Sequence, residues 1–467
     1  MKHLFYCTAA IFIAVLCAAK APGQEKSPDP PESKLNTLSL ADARKIALSQ
    51  NWDLLAAKSG MDATEAQKII AGQFPNPELS LDVSGINLDG RSNTYDQPLT
   101  RGQEIMQSVT LPGGQSGEIF VTPTRKNGIW DRTYDTVIAV SQLIELGGKR
   151  MHRVAAANAG AEAAAAQFED ARRILDTAVI TAYGDVLLAL ANVRILNDSA
   201  ESMREEARLA GLREKAGDIS ATDRSQIEVE ADRLGADARS AEAAAVQARL
   251  TLTTLLGLDV PNADWTPVED LDALANLPAP ALPDEGRERP DLLAAKALAD
   301  KAEAELRGQR ALKIPDPTVS VGYEHEPPDG PNTIGFGISV PIPAWHRYGG
   351  EVKAAEIACS DARRDIRKVA AQVAAERTQA QSAYSSARER WHHFRGEIQP
   401  KSLQIRENIS FAYRKGGATL LDLLSAQRTH NEARTETAQS AADTLAALAD
   451  LSAAFNVSLD TGKEDSK

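Results

Sequence analysis

Residues Phe411–Asn456 read FAYRKGGATLLDLLSAQRTHNEARTETAQSAADTLAALADLSAAFN. A helix runs into Tyr413. Gly416 and Gly417 break it, because adjacent glycines hold helical dihedrals poorly and tolerate positive φ. Thr419 then caps a second helix, its hydroxyl taking one of the orphan N–H groups. Leu420, Leu421, Leu423 and Leu424 open that helix, and a proline-free, Ala-rich run continues it. The stretch is two helices folded back at a tight turn. A weaker copy lies at Leu212–Leu258, where Lys215, Gly217, Asp218, Ile219 and Ser220 precede another proline-free run to Leu256. The same helical hairpin thus occurs twice, about 200 residues apart.

Composition agrees with long helices. Aromatic residues make up only 5% of the chain, low for large globular cores, while Ala, Glu, Arg and Gln dominate long stretches. That mixture suits helices packed closely through small residues. A net charge of −13 argues against nucleic acid as a partner, because phosphates require basic patches. Lys2 and His3 precede an apolar run from Leu4 to Ala19, too short for a membrane helix, and Ala21-Pro22-Gly23 offers a cleavage site. Residues 1–23 therefore read as a secretory signal peptide. Leu16 before Cys17 argues against lipidation there. Cys359 is then the one remaining thiol, which excludes an intrachain disulfide.

In chain order, residues 24–38 read as disordered, being rich in proline and charge. Ser39 caps a helix over Leu40–Gln50, and a second runs over Asp53–Gln73 until Phe74-Pro75-Asn76-Pro77 stops it. The period then changes to alternation, predicting strands at about 78–86 and 134–144. Between them lies a long polar segment, about Gly85 to Arg132, read as functional, mobile or hiding an extra hairpin. Gly147 and Gly148 mark the switch into a helical hairpin over 149–257, closing a first repeat at 39–258. A Pro- and Asp-rich linker or equatorial segment, 259–287, leads to a second repeat at 288–456. Asp291-Leu292-Leu293-Ala294-Ala295-Lys296 repeats Asp53-Leu54-Leu55-Ala56-Ala57-Lys58 letter for letter. Ile314-Pro315-Asp316-Pro317 answers Phe74–Pro77. Strands follow at about 317–326 and 332–342, the second alternating over Thr333–Ile342. Gly349 and Gly350 repeat the switch, and a hairpin fills 349–456 before a tail at 457–467. Tyr384, Trp391, Phe394 and Ile398 mark a packing seam, with a kink expected at Gly396 and Pro400.

Length sums constrain the arrangement. A helix from Lys149 to Leu212 spans roughly 90–100 Å, and its return from Ile219 to Leu256 about 55–60 Å. The shortfall matches the helix before the strands, about 30 Å. Short and return helices are therefore expected to stack end to end beside the long one, in both halves. Four strands cannot close a barrel alone, since single-chain barrels begin at eight. Either they form an open sheet, or several chains pool them; three chains would supply twelve strands with no edge.

No enzyme chemistry is legible. His152, His325, His346, His392, His393 and His430 form no ligand-spaced cluster, and Trp391-His392-His393-Phe394 reads as helix seam. Gly113-Gly114-Gln115-Ser116-Gly117 lacks the strand–helix context of a phosphate loop and reads as loop. No nucleophile–base set has a recognisable spacing. No cofactor is expected. A periplasmic coiled-coil adaptor is the competing reading, although an adaptor is expected to carry one such hairpin rather than two in tandem.

The duplicated plan, the Pro-x-Pro entries, SQLIELGGKR at Ser141–Arg150 and YRKGGATLLDLLSAQR at Tyr413–Arg428 resemble the TolC-type outer-membrane efflux proteins, LIELGGKR being closest to the heavy-metal branch. The resemblance covers nearly the whole mature chain. It implies a mainly α fold with a small β part: a homotrimer forming a long α-helical barrel topped by a twelve-stranded transmembrane β-barrel. It further implies residence in the outer membrane of a Gram-negative-type cell, in contact with lipid. The implied partners are a periplasmic adaptor and an inner-membrane pump of the RND type, and the implied cargo metal ions or small toxic compounds. Carried over by position, Gly217, Asp218, Ile219, Ser220 and Asp223 match one periplasmic tip. Tyr413, Gly417, Thr419, Leu421, Asp422 and Gln427 match the other. In the family these tips form the closed entrance and touch the adaptor. Acidic groups ringed near an axis would favour cations.

Overall fold

The computed structural model describes residues 36–84, 105–110, 116–121, 135–259, 263–282, 288–325 and 332–459. The expected signal peptide and Cys17 lie outside these residues. The first part runs β1 (Thr37–Leu38), α1 (Leu40–Gln50), α2 (Trp52–Gly72), β2 (Glu78–Ser84), β3 (Ile105–Thr110), β4 (Ser116–Val121) and β5 (Asp135–Leu143). The long hairpin α3 (Lys149–Ala216) and α4 (Ala221–Leu255) follows, then β6 (Thr266–Pro267) and α5 (Leu271–Ala275). The second part runs α6 (Pro290–Ala311), β7 (Thr318–His325), β8 (Thr333–Ser339), α7 (Gly349–His393), a π-helical turn (Phe394–Ile398), α8 (Gln399–Arg414) and α9 (Leu420–Ala454).

At 68 residues, α3 is about 100 Å long by its rise and forms the backbone of the packing. Both α2 and α4 lie along it, as do α6 and α9; the last two also lie along α7. The end-to-end stacking is direct. Asn51 Nδ2 donates to Leu255 O (2.8 Å) while its Oδ1 accepts from Leu54 N (2.9 Å), so one side chain closes α4 and opens α2. Gly257 makes this approach possible: at φ +77°, a Cβ there would lie 2.2 Å from Gln50 O. In the second part, neighbouring residues of α7 hold both ends. Glu376 binds Arg289 before α6 (2.5 Å), and Arg377 Nε donates to Ala454 O (3.1 Å).

The main core gathers Leu38, Leu40, Tyr183, Leu256, Trp265, Trp391, Leu445 and Leu448 midway along the helices. Tyr183 Oη lies 2.9 Å from Leu38 O and 2.5 Å from a Glu269 carboxylate oxygen, which also accepts from Leu40 N. Burial, then Glu269, pushes the Tyr183 phenol above its ordinary pKa. One expectation is corrected here: the segment 24–38 is expected to be disordered, yet Thr37–Leu38 pairs in parallel with Thr266–Pro267 and Leu38 is fully buried. The linker, expected as an equatorial segment over 259–287, contributes a short strand, a short helix and Trp265 to the core. At the start of the tail Leu459 is buried and its carbonyl accepts from Arg44 (3.0 Å).

The kink takes the form of the π-helical turn at Phe394–Ile398. Pro400 follows in the first turn of α8 and has no N–H for the regular ladder, which the wider turn accommodates. Tyr384 and Trp391 are buried, while His392 and His393 face outward.

Strands β2, β5, β7 and β8 form one antiparallel sheet in that order. Strands β3 and β4 pair with each other as a separate hairpin, so the segment 85–132 holds an extra hairpin and the chain more than four strands. Ser116 and Gly117, read as loop, begin β4. The last strand stops at Ser339 rather than Ile342, because Pro341 and Pro343 interrupt the donors of a ladder.

Candidate functional site

The sheet divides into two unlike faces. Leu79, Val140, Val321 and Phe336 stand in one row across all four strands, and Leu81, Ile138, Tyr323 and Ile334 in the next. Most of this face is solvent-exposed, Phe336 at 84%. The opposite face carries Ser80, Ala139, Gly322 and Gly335 in one row and Asp82, Val137, Glu324 and Thr333 in another. Its charged residues in these four strands are Glu78, Asp82, Asp135 and Glu324, all acidic. Period-two alternation in every strand, kept in phase by the register, produces this separation. Among the described residues, β2 and β8 each have one unpaired edge.

The predicted switch glycines behave differently in the two halves. Gly147 and Gly148 adopt φ of +69° and +71° and turn the chain from β5 into α3. Basic residues then fasten three segments. Lys149 Nζ reaches Ile314 O and Asp316 Oδ1, both at 2.6 Å, with its side chain only 8% exposed. Arg150 donates to Gly72 O (2.6 Å) and lies over the Phe74 ring, and Arg153 pairs with Glu145. Gly349 and Gly350 do not make the second switch. Tyr348 holds the left-handed conformation, at φ 54°, and both glycines belong to α7.

At the far end of the helices the two tips share one bond pattern. Gly217, at φ +82°, ends α3 with Asp218 N donating to Arg213 O and Gly217 N to Glu214 O, each at 2.9 Å. Gly416, at φ +76°, ends α8 with Gly417 N donating to Ala412 O (2.8 Å) and Gly416 N to Tyr413 O (3.1 Å). Both are the six-to-one, five-to-two closure that places glycine just past a helix. The turning residue of the second tip is therefore Gly416, not the expected Gly417. Three residues on, Ser220 Oγ accepts from Asp223 N (3.1 Å). Thr419 Oγ1 accepts from Asp422 N (3.2 Å), and Asp422 Oδ2 accepts in return from Thr419 N (2.9 Å) and the Thr419 hydroxyl (2.6 Å). The hydroxyl contact, then the amide, holds the Asp422 carboxyl below its ordinary pKa.

Both tips pack into one cluster of Met203, Ile227, Leu234, Tyr413 and Leu423, with Ile219 against it. Arg213 donates to Tyr413 O (3.2 Å), its guanidinium 5.2 Å from the ring centre. Burial raises the Tyr413 phenol pKa, and its Oη has no hydrogen-bond partner among the described residues. Gln427 is buried and donates to Asn431 (3.1 Å), which also accepts from Ser199. Asp218, Asp422 and Leu421 face outward, while Asp223 is half-buried. Sequence reasoning missed Glu206. It is 5% exposed, accepts from Ser410 and pairs with Arg414, joining α3 to α8. Its signal was available: Met203, Glu206 and Ala210 share one helix face.

Among the described residues no three His, Cys, Asp or Glu side chains gather as metal ligands. His430 is buried against Ser402 (3.0 Å); desolvation, then Arg406 and Arg434, lowers its pKa to about 4.

A family model described as outer membrane efflux protein matches residues 43–258 and 283–457. The chain is 27% identical over 406 residues to the cobalt-zinc-cadmium resistance protein CzcC of Cupriavidus metallidurans, with 86% of each covered. Its fold resembles the Campylobacter jejuni outer membrane channel CmeC, with a TM-score of 0.71 at 17% identity over 95% of each chain. It also resembles CusC, with a TM-score of 0.70 at 15% identity over 93% of this chain and 96% of that one.

Proposed function

Since the chain belongs to the outer membrane efflux protein family, we propose that three copies build one passive duct from periplasm to exterior. The observation that carries this reading is the sheet. It has a continuous exposed apolar face, an acidic and small-residue face, and two free edges. A sheet with those properties is satisfied when copies pool strands into a closed barrel, apolar face to lipid and polar face to water. Three copies of β2, β5, β7 and β8 give twelve strands. The helices continue the wall as a tunnel, and two structural repeats, 39–258 and 288–456, each supply one stave. The adaptor reading fits less well, because the matched family spans both repeats and a periplasmic protein gains nothing from such an apolar sheet face.

In this reading the tips at Gly217–Asp223 and Tyr413–Gln427 form the periplasmic entrance and meet an adaptor, which links the duct to an inner-membrane RND-type pump. Exposed Leu421 and Asp218 are available to that partner. Divalent heavy-metal ions are the proposed cargo, supported by the CzcC likeness and by the acidic sheet face, which concentrates cations.

The test begins with protein extracted from outer membranes. Native mass is expected at three copies, and a strain lacking the gene is expected to become sensitive to cobalt, zinc or cadmium salts. A detergent-independent, water-soluble monomer would end the duct reading. Replacing Asp218, Asp223 and Asp422 with Ala should lower cation preference in planar bilayers; unchanged selectivity removes them from the entrance.

A further inference from the structure

We infer that the internal duplication fixes the register of the seam between copies: β8 pairs antiparallel with β2 of the next copy, with Ser339 opposite the partner's Ser80. This rests on the pooled-barrel reading above and adds residue pairs to it.

The derivation uses pairs within the chain. The hairpin β2–β5 aligns Glu78 with Ser141 and Leu79 with Val140; the hairpin β7–β8 aligns Thr318 with Ser339 and Val319 with Ile338. The hairpins therefore correspond rung for rung, as Phe74–Pro77 and Ile314–Pro317 already suggest. Between the hairpins, β5 meets β7 with Ser141 opposite Ser320, Val140 opposite Val321 and Ile138 opposite Tyr323. Carrying that joint forward by one repeat puts β8 in place of β5 and the next β2 in place of β7. Ser339 then faces the partner's Ser80, Ile338 the partner's Leu81, and Phe336 the partner's Val83.

Three features agree. First, Ile338 meets the partner's Leu81 and Phe336 the partner's Val83, so the two-faced character continues across the seam. Second, the prolines fall where they do least harm. Ile144 N donates to Pro317 O (2.9 Å), which carries forward to Ile342 donating to the partner's Pro77. Strand residues alternate the side to which they donate, so Pro341 and Pro343 lack N–H groups only on the side where β7 has already ended. Third, the row Leu79–Val140–Val321–Phe336 arrives at the partner's Val83, a climb of four residues (79 to 83) per copy. With ordinary rise and strand spacing that slope gives a strand tilt of about 35°, inside the range of closed barrels. Sliding the seam by two residues gives about 20° or 47°.

Ser339 and the partner's Ser80 would form a non-hydrogen-bonded pair, whose close Cβ atoms suit a disulfide. The experiment uses S339C with S80C in a C359S background, oxidised in outer membranes and run on non-reducing gels. The shifted pairs S339C with D82C and S339C with E78C, and each single variant, are run alongside. The expected result is a covalent ladder reaching three copies from the Ser80 pair, lost in the shifted pairs and single variants. A ladder from a shifted pair overturns the register. Absence of any ladder, with native mass still at three copies, also overturns it while leaving the trimer intact. A monomer by native mass overturns both.

Discussion

At the first strand-to-helix crossover five residues, 144–148, separate β5 from α3; at the second, nine, 340–348, separate β8 from α7. The first is fastened by Lys149, Arg150 and Arg153 to the ends of α2 and α6 and to the entry of β7. The second carries Trp345 at 98% exposure, and among the described residues Glu351 pairs with His346 alone (3.2 Å). One crossover has neighbours on both sides within its own chain; the other has a neighbour on one. The contrast teaches that the duplicated halves are equivalent in plan but not in saturation, and in the proposed duct the unsaturated half is where the next copy would sit.

That contrast can be broken most forcefully at Lys149. Lys149→Met leaves Ile314 O and Asp316 without their partner and is expected to cost about 3 kcal/mol, whereas Glu351→Gln should stay within about 0.5 kcal/mol. Urea midpoints of the detergent-solubilised protein compare the two; equal losses would erase the asymmetry. A second comparison is conformational. Gly147→Ala meets Ile314 Cδ1 at 2.9 Å at a positive φ, an expected loss of about 1–2 kcal/mol. Gly349→Ala has open space and an ordinary φ and should be neutral in the same assay.

The tips sharpen the comparison with smaller effects. Thr419→Ala removes a two-way cap and should lower stability by about 1 kcal/mol, read as a shift in thermal midpoint. Ser220→Ala removes a one-way cap and should cost less. Acid separates the tips without mutation. The folded Asp422 carboxyl is depressed, so its contribution is present above its unfolded pKa and is lost as pH falls through the folded value. The first tip's cap uses a hydroxyl and an amide, which do not titrate there. Amide protection factors around Thr419 are expected to fall on acidification while those around Ser220 hold.

Much of this was legible because the signals are local. Glycine followed three residues later by Ser220 or Thr419 announces each tip, and strict alternation announces β2, β5, β7 and β8. What stayed hidden depends on distant partners. A two-residue strand such as Thr37–Leu38 has no period to read, and its place is set by Thr266–Pro267 and by burial under Tyr183. Gly416 and Gly417 are equally free to turn, and only the carbonyls of Ala412 and Tyr413 decide between them. Tyr348, stacked on His346 with ring centres 4.6 Å apart, takes a positive φ that sequence reasoning would assign to the adjacent glycines. Glu206 was overlooked because charge suggests solvent, although its helix face pointed inward.

The exposed face bearing Leu81, Phe336 and Ile338, flanked by two edges unpaired among the described residues, carries a cost before the proposed duct assembles. A newly exported copy in transit presents adhesive surface and two strand templates to every other copy it meets. In the pooled-barrel reading, biogenesis is therefore a race between orderly insertion and clumping, and a copy escorted or made slowly until its neighbours arrive would clump less.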